Sequence, residues 1–380
     1  MKEYDVVVAG GSISGLLTAR EVAKNGNSVL VLEEGFEIGT PDHCGGLVSK
    51  TALDDLGITP SQKTFDGEIN SAQIFSPSGK NIRIDSKKQN VVVVNRRELD
   101  KQAAMQAQKL GAEIMVNTSY KMKIDGGVRT SIGDINCKVV VDCCGVSSVL
   151  NSDRNGILQS AQYEVYGDWI HDGKVEVHID QKKYPEFFAW VIPSSDGIGK
   201  VGVAGKEINV LKTMEDFLSG KGNCSIIRKI YAPIWINGPI KKFTDENLVT
   251  VGDAAGQAKP TTAGGIYSCG MGGIIAGNTI TKFLETKQIS DLKEYQKIWI
   301  DKFGKEFEKQ IMARKLLHRL DNNSIDKIFS QITPDIIKEI SEKDDFDFHT
   351  SSIIKMLGLK NSVSVAQTII GGEIKKLLHS

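Results

Sequence analysis

Tyr4 to Glu34 reads YDVVVAGGSISGLLTAREVAKNGNSVLVLEE, and this stretch decides the fold. Asp5 to Ala9 is a short apolar run, the pattern of a strand buried on both faces. Gly10, Gly11, Ser12, Ile13, Ser14 and Gly15 form a tight turn, and Leu16 to Lys24 follows with helical spacing of Leu17, Ala19, Val22 and Ala23. Asn25-Gly26-Asn27 stops that helix, because glycine supplies a left-handed cap. Ser28 to Leu32 is a second buried strand, followed by the acids Glu33 and Glu34. The unit is strand, glycine turn, helix, strand, with an acid 18 residues after the last turn glycine.

That spacing has a physical purpose. Gly10 permits the sharp turn, position 12 must let a pyrophosphate approach the backbone, and Gly15 lets the helix pack close to the strand. The helix N-terminus offers free N–H groups and the positive end of its dipole to phosphates. Glu33 is placed to accept hydrogen bonds from a ribose diol. Ser12 replaces the usual glycine with the smallest hydroxyl residue, so crowding is mild. The reading is a dinucleotide site; a βαβ unit that merely needs a tight turn is the plainer alternative.

A chain of 380 residues is too long for one simple core, so two or three lobes are expected. Charged residues make up 25% and the net charge is zero, which gives no electrostatic footprint for nucleic acid. A buried strand beginning at residue 5 leaves no room for a secretory signal, and the six cysteines show no metal spacing. Reduced core thiols in a reducing cytosol are therefore expected, Cys143 and Cys144 among them. Pro260 to Thr281 is uncharged and long enough to invite a membrane reading, but its six glycines, threonines and serine suit a buried helix instead. The expected location is cytoplasmic, with at most peripheral membrane contact.

Further along, Gly35 to Lys50 is a structured glycine-rich loop in which Cys44 stands between His43 and Gly45-Gly46. Flanking glycines leave the backbone free to approach a ligand, and the thiol has a proton to donate; a buried structural cysteine fits the pattern equally well. A hairpin is expected around Ser76-Pro77-Ser78-Gly79, and a strand over Val91 to Val94 precedes a helix opened by Arg96 and Arg97. Cations are unusual at that helix end, so either an anion lies nearby or both arginines are solvated. Residues 158–243 read as successive strands without helices, hence an antiparallel sheet whose aromatics either line an apolar substrate or simply pack. Asn247 to Val251 is another buried strand ending in Gly252-Asp253, with Asp253 placed like a ribose or ribityl ligand. From Asp291 on the chain is amphipathic helix, and helix-rich to Ser380.

Together, the N-terminal turn with Glu33, the helix opened by Arg96, and Gly252-Asp253-Ala254-Ala255-Gly256 with Pro260 and Gly264-Gly265 resemble the flavoproteins related to p-hydroxybenzoate hydroxylase. Within that group, Pro41-Asp42-His43-Cys44-Gly45-Gly46, Phe188-Ala189-Trp190-Val191-Ile192-Pro193 and the stretch from Gly252 to Ile266 are similar to the geranylgeranyl reductase family. The family pattern has Tyr, Phe and Lys where this chain has Phe188, Ile192 and Ser194.

The resemblance implies an α/β fold: a Rossmann-like FAD-binding domain from 1–66, 90–157 and 244–285, an antiparallel-sheet substrate domain from 67–89 and 158–243, and a C-terminal helical region over 286–380. It implies FAD bound by Gly10, Gly11, Ser12, Ser14, Gly15, Glu33, Glu34, Cys44, Gly45, Arg96, Gly252, Asp253, Gly264, Gly265 and Ile266. It places an isoprenoid lipid against Gly46, Phe188, Trp190, Pro193 and Pro260, and makes Cys44 the candidate either for the acid that protonates the alkene as reduced flavin delivers hydride or for an active-site contact. An ordinary thiol, with a pKa of about 8.5, is protonated at neutral pH, as a donor must be. The electron donor, NAD(P)H or ferredoxin, is left open because no second glycine turn of dinucleotide type is present. The alternatives are an FAD-dependent aromatic monooxygenase, which the Cys44 loop and the Trp190 motif argue against, and a non-catalytic FAD-binding protein.

Overall fold

The computed structural model describes residues 3–150, 155–343 and 346–348. In chain order, β1 (Glu3–Ala9), α1 (Ile13–Lys24) and β2 (Val29–Leu32) form the opening unit. There follow β3 (Leu47–Ser49), α2 (Lys50–Asp55), β4 (Phe65–Glu68), β5 (Ser71–Phe75), β6 (Asn81–Asp85), β7 (Val91–Val94) and α3 (Arg96–Lys109). Next come β8 (Glu113–Met115), β9 (Tyr120–Ile124), β10 (Gly127–Thr130), β11 (Gly133–Asp142), α4 (Val146–Leu150), β12 (Ile157–Tyr166), β13 (Lys174–His178), β14 (Ala189–Pro193) and β15 (Ile198–Gly205). The remainder is α5 (Val210–Ser219), β16 (Ser225–Trp235), β17 (Thr244–Asp245), β18 (Leu248–Thr250), α6 (Ile266–Thr286), α7 (Ile289–Arg319), α8 (Asn322–Gln331) and α9 (Pro334–Lys343).

The strands β18, β11, β1, β2 and β8 lie side by side and run parallel, with β17 added antiparallel at one edge. Parallel strands are covered on both faces, which is why VVVA, VLVL and VVV read as unbroken apolar runs. One face carries α1, α3, α6 and α7; the other is closed by the β9–β10 meander through Val128. Helices α1 and α6 run in the same direction at backbone contact. A Cβ on Gly273 would stand 2.3 Å from the Ser14 carbonyl oxygen, so only glycine allows that approach. The uncharged Pro260 to Thr281 segment, expected as one buried helix, is thus a loop up to Gly265 followed by the buried, glycine-bearing part of α6. Among the described residues, no helix is long and apolar enough to cross a membrane.

The amphipathic pattern of α7 becomes a seam of fully buried rings, with Trp299 lying between Phe243, Phe303 and Phe307 at centroid distances of 5.0–5.6 Å. Each such ring stabilises the fold by about 2–3 kcal/mol of burial, and Trp299 satisfies its N–H on the Ser268 carbonyl at 3.0 Å. The far end of the expected C-terminal helical region lies outside the described residues.

The second large sheet has seven strands in the order β16, β12, β15, β14, β13, β5, β6. It is antiparallel except where β13 meets β5 in parallel, because these two strands are joined by a long excursion through β7 to β12 and not by a turn. Residues 158–243 also hold α5, which strand patterning alone missed. Asn209 caps it by accepting from the Lys212 N–H, and Met214, Phe217 and Leu218 cover Tyr163, Val201 and Val203. The Val91 to Val94 run does not join the parallel sheet: β7 is the middle of a small β3-β7-β4 sheet connecting the two large ones.

Candidate cofactor and substrate site

The glycine turn is fixed by steric contact. Gly10 has φ +112°, and a Cβ there would sit 2.3 Å from the Cys143 carbonyl oxygen of the neighbouring strand. At Gly15 a Cβ would meet the Gly10 carbonyl at 2.1 Å. Ser12 is the N-cap of α1 but its side chain caps no helix N–H, so the first amides of α1 remain for another acceptor. Glu33, at the end of β2, accepts from the Gly11 N–H at 2.9 Å and the Gly35 N–H at 2.7 Å, which aims its carboxylate at the turn. Glu34 beside it is exposed.

The second motif arrives at the same place. Gly252 has φ +75°, and a Cβ on it would lie 2.5 Å from the Ser14 hydroxyl, so the Gly252-Asp253 turn rests on the start of α1. Asp253 accepts from the Cys269 thiol at 3.3 Å, and burial together with that carboxylate pushes the thiol well up. Gly265 is the N-cap of α6, again without a side-chain cap, with Gly264 before it and Ile266 opening the helix. Two uncapped helix N-termini, from α1 and α6, therefore share one end of the parallel sheet. These groups match a dinucleotide: a backbone cradle that a Cβ would fill, donors without a side-chain acceptor, and acids for sugar hydroxyls.

The Cys44 loop is held differently, by charge. Asp42 is buried and accepts from Lys200 at 3.0 Å and from Arg228 at 3.3 Å. The same Lys200 ammonium donates to the Cys44 carbonyl oxygen at 3.0 Å. Burial pushes the Asp42 carboxyl up, but Lys200, Arg96 and Arg228 outweigh it and hold the group below its usual range. Arg228 also reaches Glu164 at 3.2 Å. Arg96 is neither solvated nor unpaired: it grips Asp100, one turn on, through both oxygens at 3.1 Å, while its Nε is buried without a hydrogen-bond partner. Burial opposes its charge, yet Asp100, Cys44 and Asp42 together keep Arg96 firmly protonated. Arg97 pairs with Glu37 at 2.7 Å.

Cys44 is half-buried against the large core; its sulfur accepts from the Gly46 N–H at 3.4 Å. Gly45 presses on Ile192, where a Cβ would come within 2.6 Å of the side chain, and so brings the loop against β14. There Trp190 lies flat over Gly202 and donates to Gln162 at 3.2 Å. Phe188 stacks on Phe187 at 4.1 Å, and both Phe188 and Ala263 of the Pro260 to Gly265 loop pack against the buried cluster of Leu158, Phe187, Ala204 and Ile236. Pro193 is buried at the end of β14. Gly46 (φ +81°) abuts the Val94 carbonyl and Pro260 abuts Gly238, so both face protein backbone.

Sequence reading missed Asp42, Lys200, Arg228, Asp100, Gln162 and Asp66 as partners in this site. Only Lys200 left a signal, a cation inside the run IGKVGVAG of an otherwise buried strand. Asp66 occupies the irregularity where β4 shifts register against β7. Burial first, with the Asp42 and Glu164 carboxylates adding and Lys200 opposing, raises it to about 6.

The fold, a parallel nucleotide-type sheet beside a large mixed sheet with a helical tail, is that of flavin-dependent enzymes. A flavin-dependent brominase superposes with a TM-score of 0.65 at 18% identity over 94% of each chain. A geranylgeranyl bacteriochlorophyll reductase-like protein of Thermoplasma acidophilum superposes with a TM-score of 0.85 at 24% identity, covering 100% of this chain and 99% of that one. In sequence, an uncharacterised protein of Methanocaldococcus jannaschii is 31% identical over 379 residues, 93% of this chain and 95% of its own length. A digeranylgeranylglycerophospholipid reductase of the same organism is 29% identical over 354 residues, 86% of this chain and 89% of its own. One from Methanococcus vannielii is 27% identical over 369 residues, 89% and 93%. No protein-family profile matches the chain. The chain belongs to the geranylgeranyl reductase family of flavoproteins.

Proposed function

We propose that this protein is an FAD-dependent reductase that saturates C=C bonds in geranylgeranyl chains of archaeal-type membrane lipids. The observation that carries the reading is the approach of the Cys44-Gly45 loop to Ile192 of β14, the strand that also carries Trp190, in a chain with the Gly10, Gly15 and Gly252 turns and similar along most of its length to named prenyl-lipid reductases. Gly10 to Gly15 and the start of α1 would hold the pyrophosphate, Glu33 the adenosine ribose, and Asp253 the ribityl chain, with Gly264, Gly265 and Ile266 along the flavin. FAD supplies the hydride when bound and reduced. The chain's own residues do the rest. Trp190 and Phe188 give the prenyl chain an apolar surface and exclude water. Cys44 donates the proton from its Sγ to the alkene carbon, and Lys200 fixes the Cys44 backbone while it does so. Arg96, with an Nε hydrogen still to place, keeps positive charge beside that thiol. The electron donor is left open between NAD(P)H and ferredoxin, and contact with the membrane is at most peripheral.

Incubating dithionite-reduced holoprotein with geranylgeranyl lipid should give products heavier by one hydrogen molecule per bond saturated. Hydroxylated aromatic product formed with oxygen uptake would favour the monooxygenase reading. Unchanged lipid at every electron supply, with flavin bound, would leave only a flavin carrier.

A further inference from the structure

Resting on the prenyl-reductase reading, we propose that Phe346 is a specificity-determining wall of the lipid site, packed on the same buried apolar cluster as Trp190. Four half-buried apolar side chains, Leu47, Val177, Trp190 and Phe346, pack against one buried cluster formed by Ile69, Val91, Val93, Val175 and Ile192. Leu47 opens the strand that follows Cys44-Gly45-Gly46, and Ile192 is the residue against which Gly45 rests. The group therefore forms an apolar surface that continues directly from the Cys44 loop. Three of its members come from strands of the two sheets it joins. Phe346 comes from the far end of the chain, beyond α9, and its position depends on a separate set of bonds.

Those bonds hold it from both sides. Asp347 accepts from the Ser49 hydroxyl at 2.7 Å, and Ser49 is both the end of β3 and the cap of α2. The other Asp347 oxygen accepts from Lys259 at 3.3 Å in a buried ion pair. The Lys259 ammonium also donates to the Phe346 carbonyl at 3.3 Å and sits 4.4 Å from the centre of its ring. Lys259 leads into the Pro260 to Gly265 loop, so the clasp ties Phe346 to the strand after Cys44 and to the loop before α6 at once. The next ring, Phe348, points the other way and stacks on Phe303 of α7 at 5.9 Å with planes 4° apart. A ring fixed this firmly on the cluster that also carries Trp190 sets the room left for an isoprenoid. A hydrophobic wall discriminates between homologous chains by about tenfold or more per unit of misfit.

The test uses full-length holoprotein and the prenyl alcohols farnesol, geranylgeraniol and geranylfarnesol. Binding is read from intrinsic fluorescence, with Trp190→Phe as the control for the reporter, and turnover from dithionite-reduced protein. Phe346→Ala should raise affinity for geranylfarnesol relative to geranylgeraniol by roughly tenfold, Phe346→Trp should shift the preference toward farnesol by a similar factor, and both should act on KM with kcat preserved. If Phe346→Ala folds poorly, Phe346→Leu serves with the same expected sign. Wild-type length preference retained in the folded variants, or a change confined to kcat, overturns the proposal and leaves the reductase reading standing. Absence of binding of any prenyl alcohol to the wild type overturns both.

Discussion

The nucleotide turn and the Cys44 loop are both short and rich in glycine, yet different forces hold them. Around Gly10, Gly15 and Gly252 the restraint is steric: backbone atoms stand 2.1–2.5 Å from where a side chain would begin, or a hydroxyl does. Around Cys44 the restraint is electrostatic: Asp42, Lys200, Arg228, Arg96 and Asp100 converge from four separate stretches of chain. A steric cradle tolerates almost no substitution but is insensitive to pH. A charged one tolerates changes of shape but depends on every partner and on protonation.

The largest effect should follow from breaking the steric region. Gly10→Val puts a branched side chain at φ +112° and into the Cys143 carbonyl, and should remove at least about 3 kcal/mol of stability and all FAD binding. Urea titration with flavin quantitation checks it. Next in size is Cys44→Ser, which keeps the shape and the flavin but weakens the donor, so prenyl reduction by pre-reduced protein should drop roughly 10²–10⁴-fold. Cys143→Ser and Cys269→Ser, at buried positions beside the turn, should affect stability more than turnover.

Sharpening the electrostatic side, Lys200→Met leaves Asp42 short of its main partner and frees the Cys44 carbonyl. Stability should fall by about 3 kcal/mol, and turnover by up to about 10²-fold as the loop shifts. Adding Asp42→Asn should recover part of the stability, a sign of coupling that a double-mutant cycle would register. The smallest effect concerns Asp66. Its carboxyl binds a proton more tightly in the fold, so this residue makes stability fall as pH rises from about 4 through about 6. Asp42, depressed in the fold, contributes stability that is present above about 4 and lost as pH falls. Asp66→Asn should therefore raise stability at pH 7 by roughly 1–2 kcal/mol after allowing for solvent screening, and flatten that part of the profile.

The same contrast explains how much could be read from sequence. The steric region was legible because tight turns restrict residue type locally: Gly10, Gly15, Gly252 and the acid Glu33 carry their reasons within a few neighbours. The parallel strands showed as unbroken valine and leucine runs for a similarly local reason. Asp42 and Arg228 gave no such sign, and Lys200 only that of a cation in a buried strand, since a salt bridge between residues 158 positions apart does not name either partner in its neighbourhood. Arg96 illustrates the boundary. Its odd place at a helix start was visible, but the anion it meets proved to be Asp100 on its own helix. The parallel meeting of β5 with β13 was hidden because strand patterning does not report who pairs with whom.

The most direct measurement is the fate of the reduced flavin without oxygen. FAD on the purified protein is reduced with a single equivalent of dithionite under anaerobic conditions, and a geranylgeranyl lipid is added while flavin absorbance is followed. The account predicts reoxidation of the flavin matched one for one by saturated bonds in the lipid, and slowed in Cys44→Ser. Flavin that stays reduced until oxygen is admitted, with the lipid unchanged, would contradict it.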